Sequence, residues 1–134
     1  MRYLTVEEVL EINAEVMGGR HALRDLGLLE SAVARPQASA FGADAYPDLA
    51  SKAAALLHSL VLNHAFVDGN KRTAVLSTLV FLDLNGYAVR WDQNEALDFV
   101  LSLATHKVEL EDAVTFLRKR MHSKGIVTPH SSTK

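Results

Sequence analysis

The chain has 134 residues, of which 49% are hydrophobic and 22% charged, and its formal net charge is −2. This is the size of one ordinary domain with enough apolar residues for a core, so a disordered chain and a protein that coats nucleic acid through a basic face are both excluded. The absence of cysteine excludes disulfides and thiolate metal sites, and it suits a cytoplasmic protein.

The first third of the chain predicts two helices. Thr5 followed by Glu8 fits a capping box, which places a helix start there. The glycines of MGGR, residues 17–20, end that helix, because glycine adopts the left-handed conformation of a helix C-cap. The segment LGLLESAVARP predicts a second, short helix stopped by Pro36. The N-terminus lacks the features of a signal peptide, and no apolar run reaches the about 20 residues of a membrane span.

A loop rich in small residues follows, with the sequence QASAFGADAYPDL over residues 37–49. Its glycine, proline and two aromatic residues predict a long loop or flap that can form a hairpin. Seven residues form the centre of this flap. These are Ala40, Phe41, Gly42, Ala43, Asp44, Ala45 and Tyr46.

Two strong helices are predicted next. Leucines and alanines recur at helical spacing over residues 50–63. The following helix begins near Gly69 and ends at Asn85, which precedes a glycine. Eight of the eleven residues 74–84 are apolar, so this helix should be central and buried.

The C-terminal part predicts a short extended piece, YAVRW, and two further helices. Asp92 is a candidate N-cap for the first of these, and LEDAVTFLRKRM forms the second. The basic run RKRMHSK, residues 118–124, is typical of a helix C-terminus, which favours positive charge. We therefore expect one all-α domain over residues 1–122, a compact bundle of about six helices, and a flexible tail over residues 123–134.

The stretch NHAFVDGNKRTAVL, residues 63–76, joins the two strong helices and concentrates polar groups between apolar segments. The first N–H groups of a helix have no intrahelical partner and bind anions such as phosphate. Lys71 and Arg72 add full positive charges beside them. Asp68 offers a hard oxygen ligand for a phosphate-bound Mg²⁺. A histidine can accept a proton near neutral pH, so His64 is a candidate base. Together these groups indicate phosphoryl or nucleotidyl transfer.

The same residues allow other interpretations. A histidine at a helix end is usually structural, and Phe66 is best explained as a core residue that anchors the loop. A phosphate-binding P-loop requires two glycines after a strand, and this segment has one glycine after a helix. A metal hydrolase built from His58, His64 and Asp68 is disfavoured, since the six-residue gap puts the two histidines on different helix faces.

The nine residues from His64 to Arg72 resemble the Fic/Doc family, whose pattern is approximately H-x-F-x-[DE]-[GA]-N-[GK]-R. The flanking stretches GLLESAVARPQASAFG, AYPDLASKAAALLHSLVLNH and FLDLNGY resemble its toxin branch, death-on-curing, in particular. The likeness covers residues 5–118, and the family fold is a helical bundle.

The resemblance implies a role for each residue of the pattern. His64 would activate a Ser or Thr hydroxyl on a target protein, and Asp68 would hold Mg²⁺ on the phosphates of ATP. The backbone of Gly69 and Asn70, with the Asn70 side chain, would form an anion cradle. Lys71 and Arg72 would bind phosphate charge, and the flap over residues 37–49 would dock the target.

Two positions bear on which group is transferred. Family members that transfer AMP usually carry glycine at the position of Lys71, whereas the toxin branch shares the lysine and resembles a kinase acting on elongation factor Tu. Gly69 matches the AMP-transferring members, since a phage-encoded toxin has alanine there. We expect a kinase, with AMP transfer as the alternative.

The resemblance also predicts a protein partner. Many family members inhibit themselves with a helix carrying [ST]-x-x-x-E-[GN], and no Glu of this chain precedes Gly or Asn. We therefore expect restraint by a separate Phd-like antitoxin, with no nucleic-acid or membrane partner. A second alternative is a catalytically weak module that binds the antitoxin and regulates its own operon.

Overall fold

The computed structural model describes residues 1–125. They form six α-helices, a 3₁₀ turn and two small antiparallel sheets, so the predicted all-α bundle with a small hairpin is confirmed. Residues 126–134, which hold most of the predicted tail, lie outside this range. The elements are α1 (Val6–Met17), α2 (Leu26–Ala34), the 3₁₀ turn (Arg35–Gln37), β1 (Ser39–Ala40), β2 (Ala43–Asp44), α3 (Leu49–Leu62), α4 (Asn70–Leu84), β3 (Tyr87–Val89), α5 (Gln93–Ala104), α6 (Leu110–Arg120) and β4 (Met121–Ser123).

Helix α1 begins and ends where the sequence predicts. The Thr5 hydroxyl accepts a hydrogen bond from the Glu8 N–H (3.1 Å), and the Glu8 carboxylate accepts one from the Thr5 N–H (2.8 Å). The Arg2 guanidinium and then the Thr5 N–H lower the pKa of Glu8 to about 2. Gly18 closes the helix in the left-handed conformation at φ 85°. The caps thus define the ends of the helix that packs against α4.

The predicted flap forms a hairpin. Pro36 ends α2, but the chain continues into the 3₁₀ turn, where Pro36 is buried. Strands β1 and β2 then pair antiparallel. The two residues between them, Phe41 and Gly42, have φ of 54° and 80°, the left-handed values of a tight hairpin turn.

Helix α3, and not α4, is the most buried helix. Ten of the 14 residues of α3 are buried, against seven of the 15 in α4. The prediction that α4 is central and buried is wrong for one side of the helix. Leu76 and Leu79 on that side are only half-buried. They line a surface groove instead of meeting another helix.

The C-terminal elements also follow the prediction. Asp92 caps α5, and α6 carries three basic residues in its last turn. Strand β4 then pairs antiparallel with β3 and runs one residue past the expected domain boundary at residue 122. Within residues 1–125, no helix is long and apolar enough to cross a membrane.

Candidate active site

His64 lies on the joint between α3 and α4, two residues after α3 ends at Leu62. Its backbone is in the left-handed region at φ 52°, and its side chain is exposed. The Arg24 guanidinium donates to the His64 carbonyl from Nε (2.9 Å) and from a terminal nitrogen. A conformation that is strained for a residue with a Cβ is therefore fixed by a side chain from a distant segment.

The segment before α2 braces the joint through its backbone. The Val67 N–H donates to the Ala22 carbonyl (2.7 Å). The N–H groups of Arg24 and Asp25 both donate to the Ala65 carbonyl, at 2.8 Å and 3.0 Å. These bonds hold the joint as if it were paired in a strand, so the loop is not free to rearrange.

Phe66 and Asn70 close the loop from within. The Phe66 side chain is buried in the core and is 2% exposed. The Asn70 amide accepts from the Phe66 N–H (3.1 Å) and donates to the Phe66 carbonyl (2.8 Å). The Asn70 side chain therefore shapes the loop, and its second amide hydrogen and its backbone N–H are the groups that would contribute to an anion cradle.

Asn13 of α1 holds the same loop, and the sequence did not single it out. Its side chain is fully buried. The Asn13 amide donates to the Asp68 carbonyl (3.3 Å) and to the Thr73 hydroxyl (3.0 Å), and its oxygen accepts from the Ala22 N–H (2.8 Å). The Asn13 side chain thereby links α1, the segment before α2, the loop before α4 and the first turn of α4. Its only sequence signal is an amide inside the apolar face of an amphipathic helix.

Gly69 is the residue before α4, at φ 77°, and it lies against α1. A Cβ at this position would lie 2.9 Å from the Met17 sulfur, 3.1 Å from Val16 Cγ1 and 3.4 Å from the Asn13 amide nitrogen. The backbone angle thus favours glycine, and so does the approach of α1, where an added Cβ would make the Met17 side chain move and Val16 give by a few tenths of an ångström.

The charged residues of the site, Asp68, Lys71 and Arg72, are exposed. Helix α4 has no side-chain cap at its N-terminus. Asp68 accepts a hydrogen bond from the Gly69 N–H through Oδ1 (2.8 Å), which orients the carboxylate. The five ion pairs found within residues 1–125 involve neither Asp68 nor Lys71 nor Arg72. These residues leave two cations and an open helix N-terminus free for an anion.

A cavity of about 390 Å³ lies at this helix end, lined by both polar and apolar groups. It continues into an apolar groove of about 350 Å³ between α1, α4 and α5. Val16 and Arg72 line both. The cavity is lined further by Met17, Asp68, Gly69 and Lys71, and the groove by Val75, Leu76, Leu79, Trp91, Gln93 and Leu97.

The flap forms a separate surface. Its residues from Ala40 to Ala45 are exposed, and Tyr46 is half-buried. Within the described part of the chain, the side-chain hydrogen bonds of residues 40–46 go to the 3₁₀ turn and α3 and not to the joint. Asp48, near the end of the flap, accepts one from Arg118 of α6 (2.7 Å). The predicted site residues from His64 to Arg72 thus come together, while the flap lies beside them on α3.

Comparison with known proteins identifies the family. Residues 3–82 match the model of the Fic/DOC family. The chain is 50% identical over 111 residues to "Toxin Doc" of Mycolicibacterium smegmatis, covering 81% of this chain and 85% of that protein. It is 32% identical over 122 residues to "Protein kinase doc" of Escherichia phage P1, covering 89% of this chain and 95% of that protein. The chain belongs to the Fic/DOC family.

Replacing Gly69 by Ala should destabilise the protein. The left-handed backbone costs an alanine about 1–2 kcal/mol, and the contact with α1 adds to this. Gly18→Ala is the matched control, since Gly18 has a similar φ of 85° and nothing within 4 Å of an added Cβ. Urea unfolding should show a larger loss for Gly69→Ala. Equal losses would mean that α1 exerts no steric demand.

Replacing Asn13 by Ala should lower the free energy of unfolding by about 1–3 kcal/mol, because buried donors and acceptors lose their partner. Asn63→Ala is the control, since the Asn63 amide makes a single bond, to the Leu28 carbonyl (3.1 Å). Hydrogen exchange at the Val67 amide should accelerate only in the Asn13 variant. Unchanged exchange there would exclude a link between Asn13 and the loop.

Proposed function

We propose that this protein is the toxin of a toxin–antitoxin pair and that it transfers the γ-phosphoryl group of ATP to a Ser or Thr hydroxyl. The proposed target is a translation factor similar to elongation factor Tu, modified in the cytoplasm. One observation carries the proposal: an exposed histidine and an uncapped helix N-terminus with free cations meet at one braced joint. The names of the two similar proteins, a toxin and a protein kinase, support it further.

His64 would act as the base. Its imidazole takes the proton of the target hydroxyl, whose oxygen forms a bond to the γ-phosphorus of ATP. The bond from that phosphorus to the β–γ bridging oxygen breaks, and ADP leaves. The hydrogen bonds that brace the joint fix the backbone of His64. This favours a constant direction of approach of the target hydroxyl to the γ-phosphorus.

The start of α4 would hold the phosphates. Its free N–H groups and the helix dipole favour an anion, and Lys71 and Arg72 add charge-assisted hydrogen bonds. Asp68 would contribute a carboxylate oxygen to Mg²⁺, which lowers the charge of the phosphates when bound. Within residues 1–125 no group of three His, Asp or Glu side chains could hold a metal ion. Asp68 alone fits an Mg²⁺ whose other ligands are phosphate oxygens and water.

The choice between phosphoryl and AMP transfer rests on Lys71. Glycine at position 69 is favoured by its left-handed backbone angle and by the approach of α1, whose nearest atoms belong to Met17 and Val16. The fold therefore explains Gly69, and this residue does not indicate which phosphorus faces His64. Its match to the AMP-transferring members is no argument for AMP transfer. The exposed Lys71, which the toxin branch shares, favours the kinase.

The protein should transfer label from γ-labelled ATP, and not from α-labelled ATP, to purified elongation factor Tu. His64→Ala should abolish transfer, since no other imidazole lies on the joint and Asp68 is assigned to Mg²⁺. Transfer of α-label would replace the kinase by AMP transfer. Expression in cells should arrest growth, and His64→Ala should relieve the arrest. If wild-type expression has no effect on growth, the antitoxin-binding module becomes the better explanation.

We also propose that a Phd-like antitoxin covers the groove beside the site. Leu76 and Leu79 are apolar yet half-buried on α4, and they face this groove. Because Val16 and Arg72 line both groove and cavity, an amphipathic segment in the groove would reach the phosphate site. Binding there would therefore compete with ATP.

Leu79→Glu should leave the toxin active while abolishing its rescue by the antitoxin, because a carboxylate in the groove opposes an apolar partner. Leu101→Glu is the control, since Leu101 is an exposed leucine on α5 that does not line the groove. Growth would be measured with each variant expressed alone and together with a Phd-like antitoxin. Full rescue of Leu79→Glu would exclude the groove as the antitoxin site.

A further inference from the structure

The flap is tied to α3 through two basic side chains that take no part in the proposed chemistry. The first is Arg35 of the 3₁₀ turn. Its Nε donates to the Tyr46 hydroxyl (2.8 Å), and its Nη1 donates to His58 Nδ1 (2.8 Å) and to the Ser59 hydroxyl (2.9 Å). Arg35 thus joins Tyr46 of the flap to the second half of α3.

This first tie requires a neutral His58. A guanidinium has no acceptor, so His58 Nδ1 must accept and the ring proton must lie on Nε2. Burial first, and then the charges of Arg35 and His106, lower the pKa of His58 below its ordinary value. The ring therefore stays an acceptor at neutral pH, and the tie persists.

The second tie is Lys52, a lysine only 4% exposed in the first half of α3. Its ammonium donates to the Pro36 carbonyl (3.2 Å) and to the Asp44 carboxylate on β2 (3.4 Å), and it lies 5.9 Å from the Tyr3 ring centroid. A buried ammonium is costly without partners. If the flap moved away, Lys52 would lose its carboxylate, so its burial opposes that movement.

The two ties contact α3 at different positions along its axis. Lys52 and His58 are six residues apart, or about 9 Å along a helix at 1.5 Å per residue. Two attachment points at this separation fix the orientation of the flap as well as its distance. The contact of Arg35 with His58 lies about one helical turn before α3 ends at Leu62, and His64 follows two residues later.

We propose that Arg35 and Lys52 are positioning residues that hold the flap in its target-docking place relative to His64. They touch neither ATP nor the reacting hydroxyl in this scheme. They keep the flap preorganised, so that the target protein binds without first ordering it. This inference rests on the proposed function for its kinetic consequence, while the attachment itself does not depend on any activity.

The attachment is tested first without ATP or target. The Ala45 N–H donates to the Ala38 carbonyl (2.9 Å) at the base of the hairpin. Hydrogen exchange at this amide should accelerate in Arg35→Met and in Lys52→Met, and less in Tyr46→Phe, which removes a single acceptor. Lys107→Met removes an exposed cation elsewhere and should leave the exchange unchanged. Unchanged exchange in both Met variants would overturn the attachment, whatever the protein catalyses.

The positioning role is tested by kinetics with purified elongation factor Tu. If the docking-competent flap falls to about one tenth of the population, the KM for the target rises about tenfold. The kcat at saturating target and the Kd for ATP should stay near the wild-type values. Lys52→Met is the sharper variant, because a methionine fills the buried space and preserves the fold.

The kinetic outcomes separate the two claims. A raised KM with unchanged kcat supports the positioning role. Faster exchange at Ala45 with an unchanged KM overturns it. If the wild-type protein modifies no target, the proposed function fails, and the exchange experiment still decides whether the two residues hold the flap.

Discussion

The contact between α1 and the loop before α4 is the constraint on which the rest of the site depends. Asn13 reaches from α1 to three other segments, and Gly69 has no Cβ, so the loop can lie against α1. This contact sets the place at which α4 begins, and with it the direction of its free N–H groups. The cavity, the exposed cations Lys71 and Arg72 and the shared wall of the groove all follow from that one helix end.

Much of the fold could be predicted from the sequence because its signals are local. A capping box, a left-handed glycine and an apolar spacing act over a few residues, and they placed the helices to within one or two positions. The polar joint was also predictable, since five functional groups occupy nine consecutive residues between apolar helices. Sequence signals predict a structural feature well when the residues that cause it lie within about one helical turn of it.

The parts that could not be predicted depend on contacts between distant segments. Asn13 bonds to residues 55 and 60 positions away, and an amide on the apolar face of its own helix does not say which residues it binds. Lys52 lies in an apolar helix where a lysine would ordinarily reach solvent, and its burial depends on the flap folding back over it. The half-buried side of α4 was missed for the converse reason, since apolar residues predict burial without saying which partner covers them.

His64 combines an exposed side chain with a left-handed φ of 52°, a value that glycine adopts freely and that is uncommon for residues with a Cβ. The chain therefore accepts a local cost at the residue on which the proposed chemistry depends, and the braces from Arg24 and its neighbours offset that cost. The most stable sequence for this backbone is consequently not the native one. A substitution that relieves the angle, such as His64→Gly, would also remove the proposed base, so the backbone conformation and the proposed chemistry make opposed demands at a single position.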